Sequence, residues 1–182
     1  MSDAARERES LRNRLTATLR DVPDFPKPGI VFKDITPVLA DFALLRDVVS
    51  ALAAPWEDAG ITHVAGVESR GFIVAAPVAI ALGAGFIPIR KPGKLPWKTA
   101  GREYALEYGR DRLEVHVDAC PTSARVLLVD DVLATGGTAL AACELIEQVN
   151  GSVLGCAFLL SIAGLHGAHR LTKRRIESLL EC

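Results

Sequence analysis

Read from its first residue, the chain alternates between stretches whose apolar residues recur at helical spacing and short runs that are apolar throughout. Leu11, Leu15 and Leu19 recur every fourth position and predict an amphipathic helix that ends before Pro23. "DVPDFPKPGIVFKDITP" follows, and its prolines predict a structured loop that sustains neither a helix nor a central strand, with Ile30, Val31 and Phe32 at its apolar centre. "DFALLRDVVSALAA" (41–54) returns to helical spacing, with Asp41 as its N-cap, and "HVAGV" reads as a short buried strand. "GFIVAAPVAIALGAG" predicts a helix, and "FIPI" and then "VLLV" predict strands. A further helix has Ala142, Leu145, Ile146 and Val149 on one face and closes at Asn150-Gly151, before the buried strand "SVLGCAFLLSI".

Strands alternate with helices, and the strands are continuously apolar. That pattern predicts an α/β fold: a central, mostly parallel sheet flanked by helices on both faces, with ligands bound beyond the carboxyl ends of the strands. One polar excursion interrupts it. Within "KPGKLPWKTAGREYALEYGRDRLEVHV", "EYALEY" and "LEVHV" alternate like an antiparallel hairpin around "GRD", and "KPGKLPWKT" has the proline and glycine content of a mobile lid. The terminal "HRLTKRRIESLLEC" predicts a basic amphipathic helix, solvated or packed in a dimer.

Composition narrows the picture. A chain of 182 residues that is 49% apolar suits a single domain, 1–182, with a sizeable core. Its net charge of −1, with no massed block of Lys and Arg, lacks the footprint of a nucleic-acid binder, so a small-molecule partner is expected. Cys120, Cys143, Cys156 and Cys182 form no C-x-x-C pair, which argues against a disulfide framework or zinc site and fits a reducing compartment. The charged opening lacks a signal peptide's apolar region, and the longest apolar run is interrupted by Pro77 and Gly83. A soluble cytoplasmic protein without membrane attachment is therefore expected.

The candidate chemistry lies in "VLLVDDVLATGGTAL" (126–140). The strand should deliver Asp130 and Asp131 to the carboxyl edge of the sheet, where Gly136 and Gly137 let backbone amides converge on an anion at a helix N-terminus. Thr135 and Thr138 add hydroxyl donors. This describes a monophosphate site without the G-x-x-x-x-G-K-[ST] or G-x-G-x-x-G strings of other phosphate loops. Carboxylates accept hydrogen bonds only, so a pair beside such a site suits the vicinal hydroxyls of the sugar that carries the phosphate. The competing reading, in which the two aspartates cap the turn and the glycines merely join strand to helix, also fits a bare D-D and G-G.

"VLLVDDVLATGGT" resembles the phosphoribosyl-pyrophosphate motif of type I phosphoribosyltransferases. "DFPKPGIVFKDITPVL", "GVESRGF", "IRKPGKLP" and "LEYG" narrow the resemblance to the adenine phosphoribosyltransferase family, over roughly Asp21 to Leu160. The resemblance implies that family's fold, with an N-terminal helix and base-binding hood (1–40) and a flexible lid (90–112). It implies transfer of the 5-phosphoribosyl group from phosphoribosyl pyrophosphate to adenine, giving AMP and pyrophosphate in purine salvage. It further implies a homodimer and Mg2+ held mainly by substrate and water, with no direct protein ligand.

By the same resemblance, Asp130 and Asp131 hold the ribose hydroxyls, and Ala134, Thr135, Gly136, Gly137 and Thr138 hold the 5-phosphate. Glu68, Ser69, Arg70 and Gly71 form the pyrophosphate turn, with a Glu68-Ser69 peptide that is often cis in the family, and Arg90, Lys91 and Lys94 add cations. Arg70 and Glu107 are the catalytic candidates: Glu107 would assist proton movement at the purine, and Tyr108 would order the closed lid. Phe32 would stack on adenine while the backbone of Val31 and Lys33 reads its edge, and Ile162 would line the base.

Each of these has a plainer counterpart: a surface ion pair for Arg70, a solvated charged loop for Arg90, Lys91 and Lys94, solvent-facing strand residues for Glu107 and Tyr108, a core anchor for Phe32. One departure stands out, since Ser161 occupies a position where many relatives carry Glu. His166 and His169, at i, i+3 spacing, lack the third ligand of a metal site. Two other functions compete: a phosphoribosyltransferase for hypoxanthine or guanine, and a non-catalytic sensor of phosphoribosyl pyrophosphate.

Overall fold

The computed structural model describes residues 3–105 and 110–182. Its chain divides into two compact units, 1–51 and 52–182.

The smaller unit opens with helix α1 (Asp3–Thr18), in which Leu11 and Leu15 are buried as their spacing predicts. The proline-rich segment departs from the expected loop. It forms a two-stranded antiparallel ribbon, β1 (Arg20–Pro23) and β2 (Val31–Asp34), followed by the short helix α2 (Thr36–Ala40). The prolines are compatible with pairing because a two-stranded ribbon consists of edges. Pro23 ends β1, and Pro26 follows a cis bond in the connecting turn. Helix α3 (Phe42–Ala53) begins where the sequence places it, with Leu44 N–H donating to the Asp41 carboxylate at 3.0 Å.

The larger unit is built on a five-stranded parallel sheet, β3 (His63–Val67), β4 (Gly85–Ile89), β7 (Arg125–Leu133), β8 (Ser152–Ser161) and β9 (Arg175–Glu181), in the order β4-β3-β7-β8-β9. Helices α4 (Arg70–Ala81) and α5 (Gly137–Gln148) connect its strands. Core residues Val64, Ala65, Leu127, Leu128, Val129 and Phe158 are almost fully enclosed, as expected for strands covered on both faces.

Two expectations need correction here. The C-terminal segment is a strand, not an amphipathic helix: β9 pairs in parallel with β8, burying Leu179 while Arg175 and Glu181 remain on the sheet's edge. In so short an apolar pattern the pairing available along β8 overrides helical periodicity. The hairpin β5 (Thr99–Ala105) and β6 (Arg110–His116) is present and antiparallel. However, Arg110 and Asp111 of the expected "GRD" turn belong to β6, opposite Ala105 and Tyr104.

Candidate active site

Strand order fixes where a ligand can sit. From β3 the chain moves outward to β4 on one side, while β7, β8 and β9 extend the sheet on the other, so the topology reverses between β3 and β7. A crevice opens at the carboxyl ends of strands flanking such a reversal. Both anion-binding turns suggested by the sequence leave from these two strands.

After β3, the Glu68-Ser69 peptide is cis and Ser69 is the N-cap of α4 without a side-chain capping bond. Arg70 thus begins a helix, and its Nε lies 2.6 Å from Asp131 Oδ2. Gly71 is required by close approach: a Cβ there would collide with the Asp130 carboxylate. The sequence "ESRG" therefore joins a cation at a helix N-terminus to a glycine that admits the neighbouring strand's acid.

Asp130 and Asp131 are still within β7, one residue pair further along than the expected end of the strand. Adjacent strand residues point to opposite faces, yet Asp131 N–H donates to Asp130 Oδ1 at 3.0 Å, holding that carboxylate beside its neighbour. Asp131 is 5% exposed. Burial raises the pKa of both acids, and the charge of Asp131 raises Asp130 further, well above the ordinary carboxylate range. Some of Asp130 is open to solvent, but its carboxyl is packed on Gly71, so desolvation is the dominant cause. Arg70 acts against both shifts.

Beyond Leu133 the chain turns through Ala134 and Thr135 to Gly136, whose φ of 78° favours glycine. The first helical bond of α5 runs from Leu140 N–H to Gly136 C=O, which leaves the amides of Gly137, Thr138 and Ala139 without an intrahelical acceptor. With the hydroxyls of Thr135 and Thr138 these amides form a cradle of donors, the chemistry that suits an anion. Gly167 supports it from beneath: a Cβ on Gly136 would strike the Gly167 carbonyl oxygen, and one on Gly167 would strike that of Ala134. The sequence alone does not single out Gly167, because its role depends on contacts with Ala134 and Gly136, far away in the chain.

At the end of β4, Arg90 and Lys91 are tied down. Arg90 donates to both oxygens of Glu68 at 3.2 and 3.3 Å, and Lys91 N–H donates to Glu68 Oε2 at 3.0 Å. Lys91 N–H and Arg90 hold the Glu68 carboxyl below its usual range against the opposing effect of burial. Arg90 also donates to the Lys94 carbonyl at 3.0 Å, so Glu68, Arg90, Lys91 and Lys94 form one connected structure. The Lys91 ammonium is ion-paired with Asp111 of β6. Glu114, 8% exposed, accepts from Gly93 N–H at 3.1 Å and pins this loop to β6.

Ile162 follows the end of β8, with its N–H donating to the Leu133 carbonyl at 2.9 Å, and so reaches the same sheet edge. Ser161 is the last residue of β8, in register with Leu133. His166 and His169 stack at 5.5 Å, and among the described residues no cluster of three His, Cys, Asp or Glu could hold a metal. In the smaller unit, Phe32 meets Phe25 edge to face at 5.1 Å, Lys33 donates to Asp21 across the ribbon at 2.6 Å, and Val31 is exposed. Glu107 and Tyr108 lie outside the described residues.

Known proteins carry the same arrangement of sequence. Residues 43–178 match the model of the phosphoribosyl transferase domain. A curated adenine phosphoribosyltransferase of Myxococcus xanthus is 56% identical over 166 residues, 91% of this chain and 90% of the relative. The solved adenine phosphoribosyltransferase of Rhodothermus marinus superposes with a TM-score of 0.91 at 48% identity, covering 96% of this chain and 99% of that one. That of Saccharomyces cerevisiae, solved with an imino-altritol bisphosphate and adenine, superposes with a TM-score of 0.88 at 36% identity, covering 94% of this chain and 99% of that one. The chain belongs to the phosphoribosyl transferase family, among its adenine phosphoribosyltransferases.

Proposed function

We propose that this protein transfers the 5-phosphoribosyl group of phosphoribosyl pyrophosphate to adenine, releasing AMP and pyrophosphate. The observation that carries the reading is the pair of anion-binding turns on adjacent strands β3 and β7, with Asp130 and Asp131 between them. A sugar phosphate with a second anion at its far end matches that order of groups. Asp130 and Asp131 accept hydrogen bonds from the ribose hydroxyls, and Ala134 to Thr138 hold the 5-phosphate by backbone amides and the two threonine hydroxyls. Arg70, with the Ser69 and Gly71 amides, faces the pyrophosphate together with Arg90, Lys91 and Lys94.

Glu68 carries the charge opposite to that a pyrophosphate site requires. Its hydrogen bonds support a role in holding Arg90 and Lys91 rather than in meeting the ligand. Val31 and Lys33 read adenine through their backbone, Phe32 stacks and Ile162 packs against the base. A two-stranded ribbon pairs each strand along one edge only, which suits backbone readout from β2. Glu107 assists the proton at the imidazole edge, and Tyr108 orders the lid.

Bond cleavage at the sugar gives an oxocarbenium-like transition state. Arg70 and its neighbouring cations stabilise charge developing on the departing pyrophosphate, while the carboxylates and the cradle fix the sugar in line with the base. The buried, like-charged carboxylate pair suits a cation-bearing substrate, and bound Mg2+ would supply neutralisation of the leaving group. The four free cysteines favour a reducing cytoplasm. Exposed Ile73 and Ile80, two turns apart on α4, favour a homodimer.

The test supplies each purine separately with phosphoribosyl pyrophosphate and Mg2+ and follows nucleotide formation. AMP from adenine, at a kcat/KM at least ~100-fold above those for hypoxanthine and guanine, is expected because an unpaired backbone group rejects the wrong edge strongly. Faster IMP or GMP formation would replace adenine as substrate. Binding of the sugar phosphate without turnover of any base would make the protein a sensor.

A further inference from the structure

Four polar groups on four separate elements form one line. The Lys91 ammonium, after β4, pairs with Asp111 at the start of β6. Tyr104, directly opposite Asp111 in the β5–β6 register, donates its hydroxyl to the same carboxylate oxygen at 3.1 Å. Thr138 of α5 donates its hydroxyl to the Tyr104 oxygen at 3.4 Å. The line thus begins at a cation assigned to pyrophosphate and ends at a hydroxyl assigned to the 5-phosphate, so its significance rests on the function proposed above. Tyr104 and Asp111 have no part in that function.

We infer that Tyr104 and Asp111 are positioning residues that couple occupancy of the 5-phosphate cradle to the pyrophosphate-binding cation Lys91. Thr138 has a single hydroxyl hydrogen, which goes to Tyr104 in the free protein. A phosphate oxygen in the cradle is a stronger, charged acceptor and takes that hydrogen. Tyr104 then loses its hold on α5 while keeping its one hydrogen on Asp111. The hairpin carrying Tyr104 and Asp111 is no longer tied to α5 through this contact, and Lys91 is freed to exchange one carboxylate for the two phosphates of the leaving group. The remainder of the loop stays in place through Glu68 and Glu114. Occupying one end of the substrate site therefore prepares the other.

The coupling is measured by calorimetric titration of pyrophosphate with Mg2+, with and without saturating ribose 5-phosphate, in the native protein and in Tyr104→Phe. Tyr104→Phe keeps every charge and most of the side-chain volume, so through-space repulsion between the two ligands is the same in both proteins. The ratio of the two pyrophosphate affinities is expected to fall about fivefold in Tyr104→Phe, the lower end of ordinary coupling between sites. Asp111→Asn should lower the same ratio by releasing Lys91 in advance, tightening pyrophosphate binding to the free protein.

A native ratio retained within twofold in Tyr104→Phe, with both ligands still binding, overturns the coupling and leaves the proposed function intact. Failure of the native protein to bind either ligand overturns both. A role confined to folding would lower Tm without changing the ratio, and that outcome also refutes the inference.

Discussion

Asp130 shows how far a single residue can be set against stability by its surroundings. Its carboxyl is packed on Gly71 beside Asp131, and its pKa lies well above the ordinary value because of burial first and the neighbouring charge second. The folded chain consequently binds more protons at this position than the unfolded chain, whose Asp titrates near 3.9, about the usual value. Stability therefore falls as pH rises from about 4 through the folded-state pKa. Asp130→Asn removes the buried charge and keeps an oxygen that can accept from Asp131 N–H. Thermal unfolding at neutral pH should show Tm raised by ~2–4 °C, about 1 kcal/mol for a domain of this size, with the gain vanishing below about pH 4. A lower Tm at neutral pH would mean that Asp130 is a net stabilising cap.

Among elements, the connections at the carboxyl edge depend on contacts that no local pattern discloses. The Ala134–Gly136 turn rests on Gly167, whose neighbours in sequence are a pair of stacked histidines. Gly167→Ala should displace the cradle and raise KM for phosphoribosyl pyrophosphate by at least ~10-fold, the effect of a positioning error on a preorganised anion site. A steady-state KM within twofold of native would show that the turn can shift without cost.

The same contrast separates what was legible in the sequence from what was not. Leu11 and Leu15, the Asp41 cap, and the apolar runs of β3, β4, β7 and β8 carry their own periodicity and chemistry, and they form the predicted elements. The Asp130-Asp131 pair and the Gly136 turn were readable because the chemistry is consecutive along the chain. Tyr104, Asp111 and Gly167 were not, since each acts through a partner on another element. The ribbon β1–β2 and strand β9 escaped for a different reason: pairing with a neighbouring strand overrode the propensities of prolines in one case and of an apparent helical face in the other.

At the scale of the whole molecule, the function follows from where the sheet reverses. The turn after β3 leads to Arg70, the end of β7 supplies two acids, and the turn that follows opens α5 with amides that no helical carbonyl accepts from. Like charge beside a phosphate site is no paradox if the acids face a sugar's hydroxyl donors while the cradle faces its phosphate. The decisive measurement is the steady-state KM for phosphoribosyl pyrophosphate of Asp130→Asn combined with Asp131→Asn, with Tm recorded on the same samples. The account predicts a rise of at least ~10-fold in KM without loss of Tm, about 1.4 kcal/mol or more of lost substrate binding by the tenfold rule. Unchanged KM in the folded double variant would contradict it.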